Sequence, residues 1–134
     1  MQAATETKKI LVVDDEADVR THLTRFLQEN GFQTTDAGDG VKAMEAVKKD
    51  RPDLITLDMA MPNKSGVKFY REIKEDPELS SIPVIVVTGV TGFGGKSDDF
   101  KRFLETRKQV PPPDGFVAKP VEHEELLALV NKLI

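Results

Sequence analysis

"KKILVVDD", residues 8–15, is a run of branched apolar side chains closed by two carboxylates. Four apolar residues in succession, without polar alternation, read as a strand covered on both faces, and the aspartates mark a polar C-terminal edge. The same construction recurs along the chain. "DLITLD" (53–58) again ends in aspartate, "IPVIVVTG" (82–89) ends in Thr88-Gly89, and "DGFVAKP" (114–120) ends in Lys119. "FQTTDA" (32–37) alternates weakly and ends without an obvious chemical group.

Helical periodicity fills the intervals. "EADVRTHLTRFLQENG" puts Val19, Leu23, Phe26 and Leu27 on one face, with Gly31 as the stop. "GDGVKAMEAVKKDRP" turns Val41, Met44 and Val47 inward and ends before Pro52. "NKSGVKFYREIKED" carries Val67, Phe69, Tyr70 and Ile73. "SDDFKRFLETRK" carries Phe100, Phe103 and Leu104, and "EHEELLALVNKLI" carries Leu126, Leu127, Val130 and Leu133. Strands alternating with helices, the strands buried on both faces, imply an α/β fold. Its expected form is a doubly wound, five-stranded parallel sheet with five helices in three layers. Residues 1–8 are expected to be a flexible tail and residues 9–134 one domain.

Bulk properties exclude several classes of function. The 134 residues suffice for one cored domain. No apolar run approaches the roughly 20 residues that span a bilayer, and "MQAATETKK" lacks the apolar core of a signal peptide. Cysteine is absent, which removes disulfides and thiolate metal sites. A net charge of −4 with scattered basic residues is poorly suited to neutralising phosphates of a nucleic acid. The expectation is a cytoplasmic protein that touches neither membrane nor nucleic acid.

In open parallel sheets, ligands bind beyond the C-terminal strand ends. The function is therefore sought in Asp14, Asp15, Asp58, Thr88 and Lys119. Carboxylates gathered at neighbouring strand ends repel one another unless a cation sits among them. Oxygen donors without His or Cys select a hard ion, and a shallow site that also admits phosphate suits Mg²⁺. Lys119 supplies a point charge and Thr88 a hydroxyl for phosphoryl oxygens. An aspartate nucleophile in such surroundings can form an acyl phosphate.

These residues resemble the receiver domain of two-component response regulators, over nearly the whole chain from Lys9. The marks "ILVVDDE", "DLITLDMAMPNKSG", "VIVVTG" and "FVAKP" stand in order, each at the end of its strand. The resemblance implies a flavodoxin- or CheY-like fold. It makes Asp58 the phosphoacceptor, Asp15 a direct Mg²⁺ ligand, Asp14 a ligand acting mainly through water, and the Ala60 carbonyl a further ligand. Thr88, Gly89 and Lys119 would bind the phosphoryl group, and Lys119-Pro120 would be a cis peptide. Thr88 and Phe116 would form the switch, and because Phe116 lacks a hydroxyl that switch is a packing event. The implied donor is a histidine kinase or phosphotransfer protein, and the output a protein target on the face formed by residues 97–134. The chain would be a monomer or weak dimer, catalysing only its own phosphorylation and dephosphorylation. It reads as a stand-alone receiver or an excised piece of a longer protein.

Departures from the family pattern carry expectations of their own. The stretch from Thr88 to Phe116 is longer than usual and includes "GFGGK" and a triple proline. Ala60 and Val90 cannot orient an attacking water, which predicts slow loss of phosphate. Ala60 also stands where an aspartate-nucleophile phosphatase needs its second aspartate, so turnover is disfavoured. "TGVTGFGGKS" misses the nucleotide-loop spacing, since Val90 occupies the first glycine position. His22 and His123 are expected to be surface residues of two helices, and Tyr70 a core aromatic.

Overall fold

The computed structural model describes residues 7–58, 65–88, 113–118 and 121–134. Five strands form one sheet: β1 (Lys9–Val13), β2 (Gln33–Ala37), β3 (Leu54–Asp58), β4 (Val84–Thr88) and β5 (Gly115–Ala118). Their order across the sheet is β2-β1-β3-β4-β5, and every pairing is parallel. The described helices are α1 (Ala17–Glu29), α2 (Gly40–Lys49), α3 (Ser65–Glu75) and α4 (His123–Leu133). The helix expected over 97–108 lies outside the described residues.

Alternation along the strands builds two cores. Leu11, Val13, Ile55, Leu57, Val84 and Val86 face α2 and α3, where Ala43, Val47, Phe69, Tyr70 and Ile73 cover them. Ile10, Val12, Leu54, Ile85 and Val117 face α1 and α4, beneath Leu23, Leu27, Leu126 and Val130. Burial on both faces explains why β1 and β4 read as continuous apolar runs and β3 as one interrupted only by the buried Thr56. The edge strand β2 keeps polar, exposed residues.

Helix ends follow local chemistry. Gly31, at φ 94°, adopts the left-handed conformation that ends α1, and its N–H donates to the Gln28 carbonyl at 3.1 Å. Asp39 caps α2, its carboxylate accepting from the Lys42 N–H at 2.8 Å.

Two helix faces differ from the sequence expectation. Val41 is 69% exposed, whereas Gly40, Ala43 and Val47 are buried. At about 100° of rotation per residue, the buried stripe passes through 40, 43 and 47 and leaves Val41 at its margin. In α4, Leu129 rather than Leu127 packs against the core with Leu126, Val130 and Leu133. Tyr70 is fully buried, as expected. The Val67 side chain lies outside the described residues.

Candidate functional site

The site follows from strand register. Val13 of β1 pairs with Leu57 of β3, so one further step sets Asp14 level with Asp58. Asp58 pairs in turn with Val87, and Val87 with Val117. Thr88 pairs with Ala118, the residue before Lys119. The chain leaves β1 toward β2 and leaves the adjacent β3 toward β4, in opposite directions, and Asp14 and Asp58 stand at that reversal.

Both aspartates are buried, Asp14 to 1% exposure and Asp58 to 2%. A buried carboxylate is retained where it is held by hydrogen bonds or has a charge to bind. Asp14 is held firmly. Its N–H donates to the Ala37 carbonyl at 3.1 Å, extending the β1–β2 ladder by one residue. Its carboxylate accepts from the Glu16 N–H at 2.9 Å, which folds the chain into the start of α1.

The turn brings Asp14, Asp15 and Glu16 together, with carboxylate oxygens within 4.8 Å of one another. Asp15 and Glu16 are exposed, so the cluster opens to solvent above a buried floor. Three oxygen donors, no nitrogen or sulfur, and open positions for water fit Mg²⁺. Asp14, Asp15 and Glu16 are the carboxylates that could hold such an ion.

Two contributors were not anticipated from sequence. Glu16 joins the cluster as its third carboxylate, visible beforehand only as the end of the Asp-Asp-Glu run. Arg20 braces the site: Nη1 donates to the Asp14 carbonyl at 2.7 Å and Nε to the Asp36 carboxylate at 2.9 Å. It thereby ties the ends of β1 and β2 together. Its signal in the sequence is a cation on the Arg20-Leu23-Leu27 stripe, on the side of α1 that faces the sheet. Gly38 fits this brace, because a Cβ there would lie 3.1 Å from Arg20 Nη1.

Phe116 is half-buried and packs against the α2–α3 core. Thr88 is placed by its backbone at the end of β4, but its side chain lies outside the described residues. Ala60, Gly89, Lys119 and Pro120 also lie outside them, as do Val90 and the long stretch from 89 to 112.

Comparison with known proteins converges on one family. The model of the response regulator receiver domain matches residues 10–131. The phosphate regulon transcriptional regulatory protein PhoB of Escherichia coli is 34% identical over 127 residues, covering 95% of this chain and 52% of PhoB. The DNA-binding response regulator MtrA of Mycobacterium tuberculosis is 35% identical over 127 residues, covering 95% of this chain and 50% of MtrA. Among solved structures, the signal receiver domain of a signal transduction histidine kinase from Syntrophus aciditrophicus is similar at a TM-score of 0.79 and 33% identity. That match covers 95% of this chain and 89% of the other. The chain spans about half the length of the two curated relatives.

Proposed function

Because the chain belongs to the response regulator receiver domain family, we propose that Asp58 is its phosphoacceptor. The domain works in phosphorelay signalling. The observation that carries the assignment is the level placement of buried Asp14 and Asp58 on adjacent strands at the reversal of the sheet.

In the proposed reaction, a carboxylate oxygen of Asp58 attacks the phosphorus of a phosphohistidine on a histidine kinase or phosphotransfer protein. The new O–P bond makes an acyl phosphate. The P–N bond breaks, and its electron pair stays with the imidazole. Asp15, Asp58 and the carbonyl of Ala60 would hold Mg²⁺, with Asp14 acting mainly through water. When bound, that ion neutralises charge on the phosphoryl oxygens. Thr88, Gly89 and Lys119 would bind the same oxygens from the β4–β5 side. Arg20 positions Asp14 through its carbonyl.

Repacking at Thr88 and Phe116 carries the signal to the 97–134 face. Ala60 and Val90 favour a long-lived phosphoryl state. The chemistry is confined to the domain's own phosphorylation and dephosphorylation, in residues 9–134 behind a short tail. We assign the domain to the cytoplasm as a monomer or weak dimer, and no helix among the described residues is long and apolar enough to cross a membrane.

The expectation of no nucleic-acid partner is narrowed to these 134 residues. MtrA is a DNA-binding response regulator, and this chain spans only half of it.

Incubation with Mg²⁺ and acetyl phosphate, read by intact mass, tests the reading. One added phosphoryl group is expected, absent in Asp58→Ala and absent when the metal is chelated. Undiminished incorporation in Asp58→Ala overturns the assignment.

A further inference from the structure

His22 and His123 are 101 positions apart, yet their Nε2 atoms lie 2.7 Å from each other. His22 stands on α1 and His123 opens α4. The imidazole rings are 4.7 Å apart between centroids and tilted by 36°. Phe26, one turn beyond His22, stacks on His123 at 4.3 Å and 22°, which limits rotation of that ring. We propose that this pair is a binding site for a divalent transition ion, Zn²⁺ or Cu²⁺, bridging α1 and α4.

The donor chemistry supports the proposal. Between two neutral imidazoles, one Nε2 carries the shared proton and the other offers its lone pair. Exchange of that proton for a metal ion engages both lone pairs at once. Zinc–imidazole bonds of about 2.0–2.1 Å in tetrahedral geometry place two ligand nitrogens roughly 3.3 Å apart. The two nitrogens, now 2.7 Å apart, need to separate by roughly 0.6 Å, a shift that falls to His22 because Phe26 stacks on His123. Imidazole nitrogen suits Zn²⁺ and Cu²⁺, and the exposed position leaves room for water ligands.

Electrostatics and composition add two points. The positive end of the α4 dipole disfavours a cation at His123, but Glu124 and Glu125 in the first turn oppose it. The chain has two histidines and no cysteine, so no other side chain offers an imidazole or thiolate. The Asp14–Asp15–Glu16 cluster presents only oxygen. The molecule thus sorts ions by hardness, with Mg²⁺ preferred at the strand ends and Zn²⁺ or Cu²⁺ between the helices. An ion there would cross-link two helices of one sheet face, independently of whether Asp58 accepts phosphate.

The test uses untagged protein saturated with Mg²⁺, so that the acidic cluster is occupied. Calorimetric titration with Zn²⁺ is expected to give one ion per chain. His22→Gln and His123→Gln should each weaken binding by about tenfold or more. Replacing both should cost scarcely more than replacing one, because a single remaining imidazole is no bridge. Electron paramagnetic resonance of bound Cu²⁺ should show coupling to two nitrogens, falling to one or none in the variants. Circular dichroism checks that the variants fold. Unchanged Zn²⁺ affinity in both folded variants, or an all-oxygen Cu²⁺ spectrum in the parent, overturns the proposal.

Discussion

The two ends of the sheet treat negative charge in opposite ways. At the N-terminal ends of the strands, aspartates are matched one by one. Asp53, just before β3, accepts from the Lys9 N–H at 2.8 Å while its own N–H donates to the Lys9 carbonyl at 2.8 Å. Asp114, just before β5, repeats the device with Val84, accepting at 2.9 Å and donating at 2.9 Å. Lysines complete the arrangement, Lys9 pairing with Asp50 at 2.7 Å and Lys74 with Asp114 at 3.6 Å. At the C-terminal ends, Asp14, Asp15 and Glu16 instead converge on one another. One rim uses carboxylates to start strands in register, and the other gathers them where a cation can bind. Carboxylates are matched one to one at one end and clustered at the other, and the partners make the difference.

The largest effect on stability should come from the lower rim. The Lys74 side chain is only 5% exposed, and Nζ donates to the Ser80 carbonyl at 3.3 Å and the Ile82 carbonyl at 3.2 Å besides facing Asp114. Lys74→Met should cost about 2 kcal/mol, mostly from stranding buried acceptors. Asp114 contributes less to that figure because solvent screens its half-exposed carboxylate. Urea unfolding measures the loss, and phosphoryl incorporation by the folded protein should be unchanged. A loss below about 0.5 kcal/mol would make Lys74 an ordinary surface lysine.

The upper rim should respond with the opposite sign. Asp14→Asn keeps an oxygen to accept from the Glu16 N–H while removing one of the clustered charges. Without Mg²⁺, the variant should be more stable by about 1 kcal/mol, because like-charge repulsion falls. Its Mg²⁺ affinity should drop about tenfold or more. Equal stability with undiminished Mg²⁺ binding would mean that the cluster is solvated surface and not a cation site.

This contrast was only half visible in the sequence. Strand ends bearing Asp14-Asp15, Asp58 and Thr88 stand out because a polar residue after an apolar run is a local signal, read without knowing the neighbours. The lower rim has no such signal. Asp53 and Asp114 look like turn residues, and their pairing with Lys9 and Val84 exists only once four strands are in register. Arg20 was hidden for the same reason, since its partners Asp14 and Asp36 close the ends of two different strands. The histidine pair depends on α1 and α4 sharing one face of the sheet. Val41 differs in kind: a three-residue spacing fits Val41, Met44 and Val47, but the buried stripe runs through Ala43, whose small side chain gives little hydrophobic signal.

The smallest effect at neutral pH, and the most selective, concerns Tyr70, which leans over the lower rim with Lys74 Nζ 5.8 Å from its ring centroid. Burial raises the Tyr70 hydroxyl well above its ordinary pKa of 10.0, and the Asp114 carboxylate adds to the shift. The folded state therefore holds this proton more tightly than the unfolded chain. The associated stability is fully present below pH 10 and is lost as the pH climbs toward the raised folded value. Stability should fall by up to about 1.4 kcal/mol per pH unit in that window from this group alone. Tyr70→Phe should flatten this part of the slope, whereas Asp14→Asn should leave it intact. Tyr70 is the sole tyrosine and tryptophan is absent, so tyrosinate absorbance reports on this one group. It should appear together with unfolding, and its appearance near pH 10 in protein that is still folded would sever Tyr70 from the buried rim.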